Sequence, residues 1–320
     1  MIGNPPPQRH SPHPTYSFFT LSVGSPPPTC YFCGVNLPYL TTDALHRFID
    51  AALQEDVGDG DHTTLASIPA NATETARIVL KASGTVAGIA MAQMIFARLD
   101  ERLEVTPLME DGDEGKVGQD VMHISGPARS ILTGERLALN CLQRMSGIAT
   151  YTRKLTSLIE GTGARLLDTR KTTPNFRICE KWAVALGGGV NHRYGLWDMI
   201  MLKDNHVDYA GGIAQAIAAT HEYLKAEGRD LKIEVETRTL DEVREVIAAG
   251  GIHRIMLDNM SPELMREAVG LINGQFETEA SGGITEHTIR AVAESGVDYI
   301  SVGALTHSFT SLDMSLKAIK

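Results

Sequence analysis

Residues 231–304 read LKIEVETRTLDEVREVIAAGGIHRIMLDNMSPELMREAVGLINGQFETEASGGITEHTIRAVAESGVDYISVGA. Four apolar runs (LKIEVE, HRIMLDN, FETEASGG and VDYISVGA) alternate with three segments of helical period. Runs of that kind suit strands of a parallel sheet, and the intervening segments suit the helices that cover it. The helix starts carry their own signals. Thr239 and Glu242 have capping-box spacing, and Ser261 precedes Pro262 as N-cap and first helical residue. The strand ends Glu236, Asp258, Glu279 and Val302 lie 22, 21 and 23 residues apart. Such even βα spacing, without a dinucleotide fingerprint, predicts a closed or partly closed α/β barrel. In that architecture chemistry belongs at the carboxyl ends of the strands. ARLLDT (164–169) and DMIML (198–202) read as two earlier strands of the same sheet.

Further upstream the texture differs. TTDALHRFIDAALQEDV places Leu45, Phe48, Ile49, Ala52 and Leu53 at helical spacing behind Thr41. GDGDHTT (58–64) is a turn, ARIVLKASGTVAGIAMAQMIFARL reads as strand, glycine turn and helix, and the following thirty or so residues read as short strands. A helix over about Gly134–Ile159 then leads to the repeated βα units. Residues 1–40 hold nine of the fourteen prolines, one Arg and no Lys or acid, and PPP occurs twice. They are expected to be a disordered extension with no secretory or transit signature. Cys30 and Cys33 form a CxxC pair without a second Cys/His pair nearby, so a metal or redox reading lacks its other half. The expected units are therefore 1–40, 41–146, 147–305, and a helix over 306–320 packing back on the N-terminal domain.

The chain has 320 residues, 43% hydrophobic and 21% charged, which excludes a wholly disordered or fibrous protein. Its net charge of −10 argues against nucleic acid or an anionic membrane as partner. The absence of a long apolar run predicts a soluble protein. Four scattered cysteines predict a reducing cytoplasm rather than a disulfide framework.

The predicted strand ends are unusually polar: Asp168-Thr169-Arg170-Lys171, Lys203-Asp-Asn205-His206, Glu236, Asp258-Asn259, Ser281-Gly282-Gly283 and Gly303-Ala304. Between Arg165 and His206 seven Lys/Arg face four Asp/Glu, so a chain of acidic balance is locally cationic. Arg170, Lys171, Arg193 and Lys203 are assigned to an anionic small molecule, and Arg165, Arg177 and Lys181 to structural pairing. Glu236 and Asp258 end consecutive strands and suit a hard cation such as Mg²⁺, or a developing positive charge. The glycine turns at 281–283 and 303–304 suit a phosphate. Gly187–Gly189 is expected to let the backbone approach a ligand beside His192, which could equally be a core histidine. These residues alone predict a barrel binding a phosphorylated substrate, Mg²⁺ and a polycarboxylate.

At these positions the sequence resembles the quinolinate phosphoribosyltransferase family. The resemblance rests on GERLALNCLQRMSGIAT, DTRKTTPNFRICEKWAVALGGGVNHRYGLWDMIMLKDNH, KIEVE, IMLDNMSPE, EASGGI and GVDYISVGALTHS, and covers about residues 42–320. It implies an N-terminal α/β sandwich followed by an incomplete, open α/β barrel of TIM-barrel type. It also implies phosphoribosyl transfer to quinolinate with decarboxylation, giving nicotinate mononucleotide, pyrophosphate and CO₂ without an organic cofactor. Carried over by position, Arg136, Arg170, His192, Arg193 and Lys203 would bind the quinolinate carboxylates. Lys171 and Lys203 would contact phosphoribosyl pyrophosphate, with Thr169 and Asn205 in the substrate-binding set. Glu236 and Asp258 would face ribose and Mg²⁺-pyrophosphate. Ser281, Gly282, Gly283, Gly303 and Ala304 would hold the 5′-phosphate, with His307 near. Arg136 would reach a neighbouring subunit's site, implying a homodimer, or a hexamer. Asn175 and Phe176 depart from the family's more usual glycine and leucine. A relative acting on another aromatic acid and a non-catalytic ligand-binding protein are the competing readings. Retention of the four cationic positions disfavours the first, and retention of Glu236, Asp258 and the lysines disfavours the second.

Overall fold

A computed structural model of the chain describes residues 37–319. Both PPP runs and the Cys30/Cys33 pair lie outside the described residues. Residues 37–40, expected to belong to the extension, are part of the fold. Leu40 is buried, and Leu37 and Tyr39 pack against the same core. Proline content could not reveal this, because three apolar side chains decide it.

The N-terminal unit comprises α1 (Thr42–Val57), α2 (His62–Ser67), β1 (Thr73–Leu80), β2 (Gly84–Thr85), α3 (Ile89–Leu99), β3 (Glu104–Pro107), β4 (Glu114–Gly115) and β5 (Asp120–Pro127). The Thr41 hydroxyl accepts from the Ala44 N–H and opens α1, the predicted first helix. Then α4 (Ala128–Leu158), 31 residues long, packs on α3. It starts six residues before the predicted Gly134. Gly134 is interior to the helix, where a Cβ would press within 2.8 Å of the Phe96 ring, so the glycine marks a helix–helix contact rather than a beginning. The expected boundary at 146/147 falls inside this one helix.

The second unit comprises β6 (Arg165–Leu167), α5 (Arg177–Leu186), β7 (Ile200–Leu202), α6 (Asp204–Ala210), α7 (Ile213–Glu227), β8 (Ile233–Thr237), α8 (Leu240–Ala249), β9 (Arg254–Asp258), α9 (Pro262–Ile272), β10 (Glu277–Ser281), α10 (Ile289–Ala293), β11 (Tyr299–Ser301), α11 (Ala304–His307) and β12 (Met314–Ala318). Strands β6 to β11 form a parallel six-stranded sheet in the order β6-β11-β10-β9-β8-β7. Consecutive strands β6 and β7 are the two edges, so the barrel is open between them. Beyond β6 the chain makes only an isolated parallel bridge from Leu167 to Val190. The segment 190–199 thus runs through the opening. Ser261 caps α9 with Pro262 at its start, as predicted. At α8 the Thr239 hydroxyl accepts from the Glu242 N–H, but the Glu242 carboxylate takes the Arg238 N–H instead of closing the box.

The C-terminal segment corrects an expectation. Residues 306–320 were expected to be helical; only the short α11 is helical, and β12 is a strand. It pairs antiparallel with β1, Leu80 opposite Met314 and Ala76 opposite Ala318, in a sheet of order β12-β1-β5-β3. Met314 and Leu316 face the core at a period of two, and the open edge of β1 supplies the backbone partners. The chain therefore returns to the N-terminal unit as predicted, but through a sheet.

Candidate active site

A cavity of about 790 Å³ opens at the carboxyl ends of the parallel strands. Arg170 and Lys171 follow β6, Lys203 follows β7, Glu236 and Asp258 lie at the ends of β8 and β9, and Ser281 ends β10. Gly303 and Ala304 follow β11. All of them line the cavity, as do Thr169, His192, Arg193, Gly282, Gly283 and His307. The structure thus gathers every expected site residue except two. Asn205 is exposed in the first turn of α6 and lies off the cavity wall, which ends on that side at Lys203. Arg136 is exposed on α4 and lines no part of its own chain's cavity.

The charges on the wall are complementary and spaced. Lys203 Nζ lies 3.2 Å from Glu236 Oε2. Asn259, in the left-handed region at φ 54°, donates from Nδ2 to Asp258 Oδ2 at 2.6 Å. Glu236 and Asp258 present hard oxygen donors from neighbouring strands, a set suited to Mg²⁺. Gly282 (φ 95°) runs so close to Asn259 that a side chain there would strike both its amide and its backbone. Gly303 lies against Lys171 and His307, and a Cβ would come within 3.0 Å of each. These two glycines keep the backbone exposed to a ligand. Gly187–Gly189 have a different reason. Cβ atoms at 187 and 189 would meet Thr152 on α4, so that run lets α5 turn tightly beneath the helix and does not line the cavity.

The opening between β6 and β7 is filled by His192 and Arg193. Arg193 donates to Met199 O at 3.1 Å; burial and then the nearby Arg170 charge lower its pKa. Beneath it Lys181 forms a fully buried ion pair with Asp168 and donates to His192 O at 3.0 Å. Asp168 also accepts from the His192 N–H at 2.8 Å and from Asn191 Nδ2 at 2.7 Å. Burial pushes the Asp168 carboxyl up and the Lys181 ammonium down, each opposed by the partner. The expected structural role of Lys181 is therefore met. Arg177 is structural too, through hydrogen bonds to Thr172 and Tyr194 O rather than through a salt bridge.

The His192 ring points inward. Nε2 lies 3.0 Å from Glu234 Oε2 and 3.4 Å from Glu279 Oε2, and Nδ1 accepts from the Arg193 N–H at 2.6 Å. Burial disfavours the charged ring, but the two carboxylates outweigh it and raise its pKa to about 9. The Arg193 N–H at Nδ1 favours a neutral ring, but Glu234 and Glu279 beside Nε2 count for more. Arg254 donates to Glu279 Oε2 at 2.8 Å and lies over the Tyr299 ring. Glu234, Glu279, His192 and Arg254 thus form one buried cluster, in which burial and then the Glu279 charge push the Glu234 carboxyl up. The functional share of Glu234, Glu279 and Arg254 was missed from sequence. A usable signal existed, because strand period two puts Glu234 on the same face as Glu236.

Asn175, where glycine is more usual in the resembling family, has φ 61°, which asparagine tolerates best among residues with a side chain. Phe176 beside it packs on Phe48 and under Arg144. Both departures are thus accommodated without touching the cavity wall.

Known proteins share this arrangement. The N-terminal domain of quinolinate phosphoribosyl transferase matches residues 61–146, and its C-terminal domain matches residues 148–317. The chain is 46% identical over 299 residues to the chloroplastic nicotinate-nucleotide pyrophosphorylase [carboxylating] of Arabidopsis thaliana, covering 89% of this chain and 85% of the relative. It is 42% identical over 272 residues to the probable nicotinate-nucleotide pyrophosphorylase [carboxylating] of Bacillus subtilis, covering 85% and 92%. The crystal structure of NadC from Streptococcus pyogenes superposes with a TM-score of 0.82 at 39% identity, covering 89% of this chain and all of that one.

Proposed function

Because this chain belongs to the quinolinate phosphoribosyltransferase family, we propose that it transfers the phosphoribosyl group of phosphoribosyl pyrophosphate to quinolinate. The products are nicotinate mononucleotide, pyrophosphate and CO₂, on the route to NAD. The observation that carries this reading is the cavity itself: Arg170, Arg193, Lys171 and Lys203 line it together with Glu236, Asp258 and two glycine turns. A dicarboxylate, a sugar and a phosphate match those three sets of groups.

Arg170 and Arg193 bind the two quinolinate carboxylates by charge-assisted hydrogen bonds and hold the ring nitrogen toward C1 of the ribose. Backbone N–H groups of the 281–283 and 303–304 turns hold the 5′-phosphate. The C1–O bond to pyrophosphate breaks as positive charge develops on the ribose, and Glu236 and Asp258 stabilise that charge. Lys171 and Lys203 neutralise the departing oxygens. Glu236 and Asp258 would also hold Mg²⁺, which when bound neutralises pyrophosphate charge. The pyridine nitrogen bonds to C1 and becomes cationic. That cation stabilises the carbanion left on C2 when the 2-carboxylate leaves as CO₂, and a proton then bonds to C2. The active form is a homodimer in which Arg136 of one subunit completes the site of the other, supported by its exposure away from its own cavity.

The compartment proposed is the cytoplasm. Cys141 and Cys179 are free, and no helix among the described residues is long and apolar enough to cross a membrane. Plant relatives named chloroplastic or mitochondrial make an organelle the alternative. The test of activity is incubation with phosphoribosyl pyrophosphate, Mg²⁺ and quinolinate labelled at the 2-carboxylate. Equal amounts of labelled CO₂ and nicotinate mononucleotide are expected. Neither product from correctly folded protein would sink the reading and move the search to another acceptor, nicotinate first.

A further inference from the structure

His192 and Arg193 are flanked by Asn191 and Tyr194, and one side chain grips both flanking residues. Tyr39, from the segment ahead of α1, donates its hydroxyl to Asn191 Oδ1 at 2.8 Å. Its ring stacks on that of Tyr194 with centroids 4.6 Å apart and planes 27° apart. Asn191 then spends its amide N–H groups on Asp168 Oδ2 (2.7 Å) and Lys181 O (2.8 Å). Asp168 in turn accepts from the His192 N–H. Tyr39 therefore joins a continuous run of hydrogen bonds that ends on the backbone of the anion-binding pair. From the other side its ring braces the loop through Tyr194, whose own N–H donates to Asp198 at 2.6 Å.

This loop needs such a brace. It occupies the gap between β6 and β7, where its one ladder contact is the Leu167–Val190 bridge, so side chains take over the work that neighbouring strands do elsewhere. Burial and the nearby Asp168 raise the Tyr39 phenol's pKa, so it stays a proton donor throughout the working pH range.

We propose that Tyr39 is a positioning residue for quinolinate binding: it acts through Asn191 and Tyr194 to set the His192–Arg193 pair in the barrel opening, and it touches no substrate. The inference rests on the function proposed above. It assigns residues expected to lie outside the fold a share in the active site.

Steady-state kinetics on the full chain, with quinolinate and phosphoribosyl pyrophosphate varied separately, test it. Tyr39→Phe keeps the stacked ring and removes one hydrogen bond. The KM for quinolinate should rise roughly three- to tenfold, the scale of one lost hydrogen bond, with the KM for phosphoribosyl pyrophosphate unchanged. Tyr39→Ala removes the stack as well and should raise it further. Combining Tyr39→Phe with Asn191→Ala should add little to the Asn191→Ala effect, since the two lie on one path. An unchanged quinolinate KM in both Tyr39 variants would overturn the proposal. So would both KM values rising together with a lowered melting temperature, the mark of a merely structural residue. Turnover by the wild-type protein tests the function separately, so failure of either idea is recognisable.

Discussion

At the scale of single residues, the site is a problem of charge in a poorly solvated place. The His192 side chain is only 5% exposed and lies between Glu234 and Glu279, both fully buried. An unpaired charge there would be costly, so the imidazolium and the carboxylates depend on one another. The His192 pKa is raised from 6.5 to about 9 on folding, so its proton is bound more tightly in the folded state. Its contribution to stability is therefore present in full below about pH 6.5 and is lost as pH rises through about 9. Denaturation midpoints measured across that window should fall for the wild type and stay flatter for His192→Gln. Parallel curves would refute the charged pairing. Arg170, Lys171, Lys203, Glu236 and Asp258 were legible because each follows or ends an apolar run. Glu279 reads only as a strand end, and Glu234 sits within an apolar run; the place of either charge shows only when its partners are seen across the sheet.

At the scale of elements, α4 ties the molecule together. It packs on α3 and on α5, and β12 also lies against it. Gly147 on α4 lies against the segment that leads into β12. A Cβ there would collide with Thr310 O and come within 2.9 Å of Ser311 Cα, atoms of the segment joining α11 to β12. Replacing an interior helical glycine by alanine ordinarily stabilises a helix by up to about 1 kcal/mol. Here we expect the opposite sign: Gly147→Ala should destabilise by about 1–3 kcal/mol, because backbone must move to make room. Urea midpoints check the sign, and a gain in stability would show that the segment yields freely. The same segment misled the sequence reading at the C terminus. β12 is five residues long, buried at Met314 and exposed at Lys317 and Ala318, and so short a segment becomes a strand only when an edge such as β1 is there to receive it.

At the scale of the whole molecule, the two units share one helix, one returning strand and, through Tyr39, one loop of the active site. The assembly we propose goes a step further and completes each cavity with Arg136 from a partner. Arg136→Ala and Lys171→Ala proteins should each lose nearly all activity while remaining folded. Randomly mixed dimers should regain up to about a quarter of wild-type activity, because each mixed pair holds one intact site. No recovery in verified mixed dimers would place Arg136 outside the shared site.

The amino-acid pattern alone determined the βα periodicity, the covered parallel sheet, the cationic cluster at the strand ends and the acidic pair on consecutive strands. These depend on local spacing, and a strand end stays a strand end whatever surrounds it. Tertiary structure alone decided that β6 and β7 are the sheet's edges, that 190–199 fills the gap between them, and that β12 is a strand. It also decided that Tyr39 contacts Asn191 and Tyr194 and that Glu234, Glu279, Arg254 and His192 form one buried cluster. Each of these is a contact between residues far apart in the chain, and the free energy of a buried charge or an open sheet edge is set by the partner that meets it.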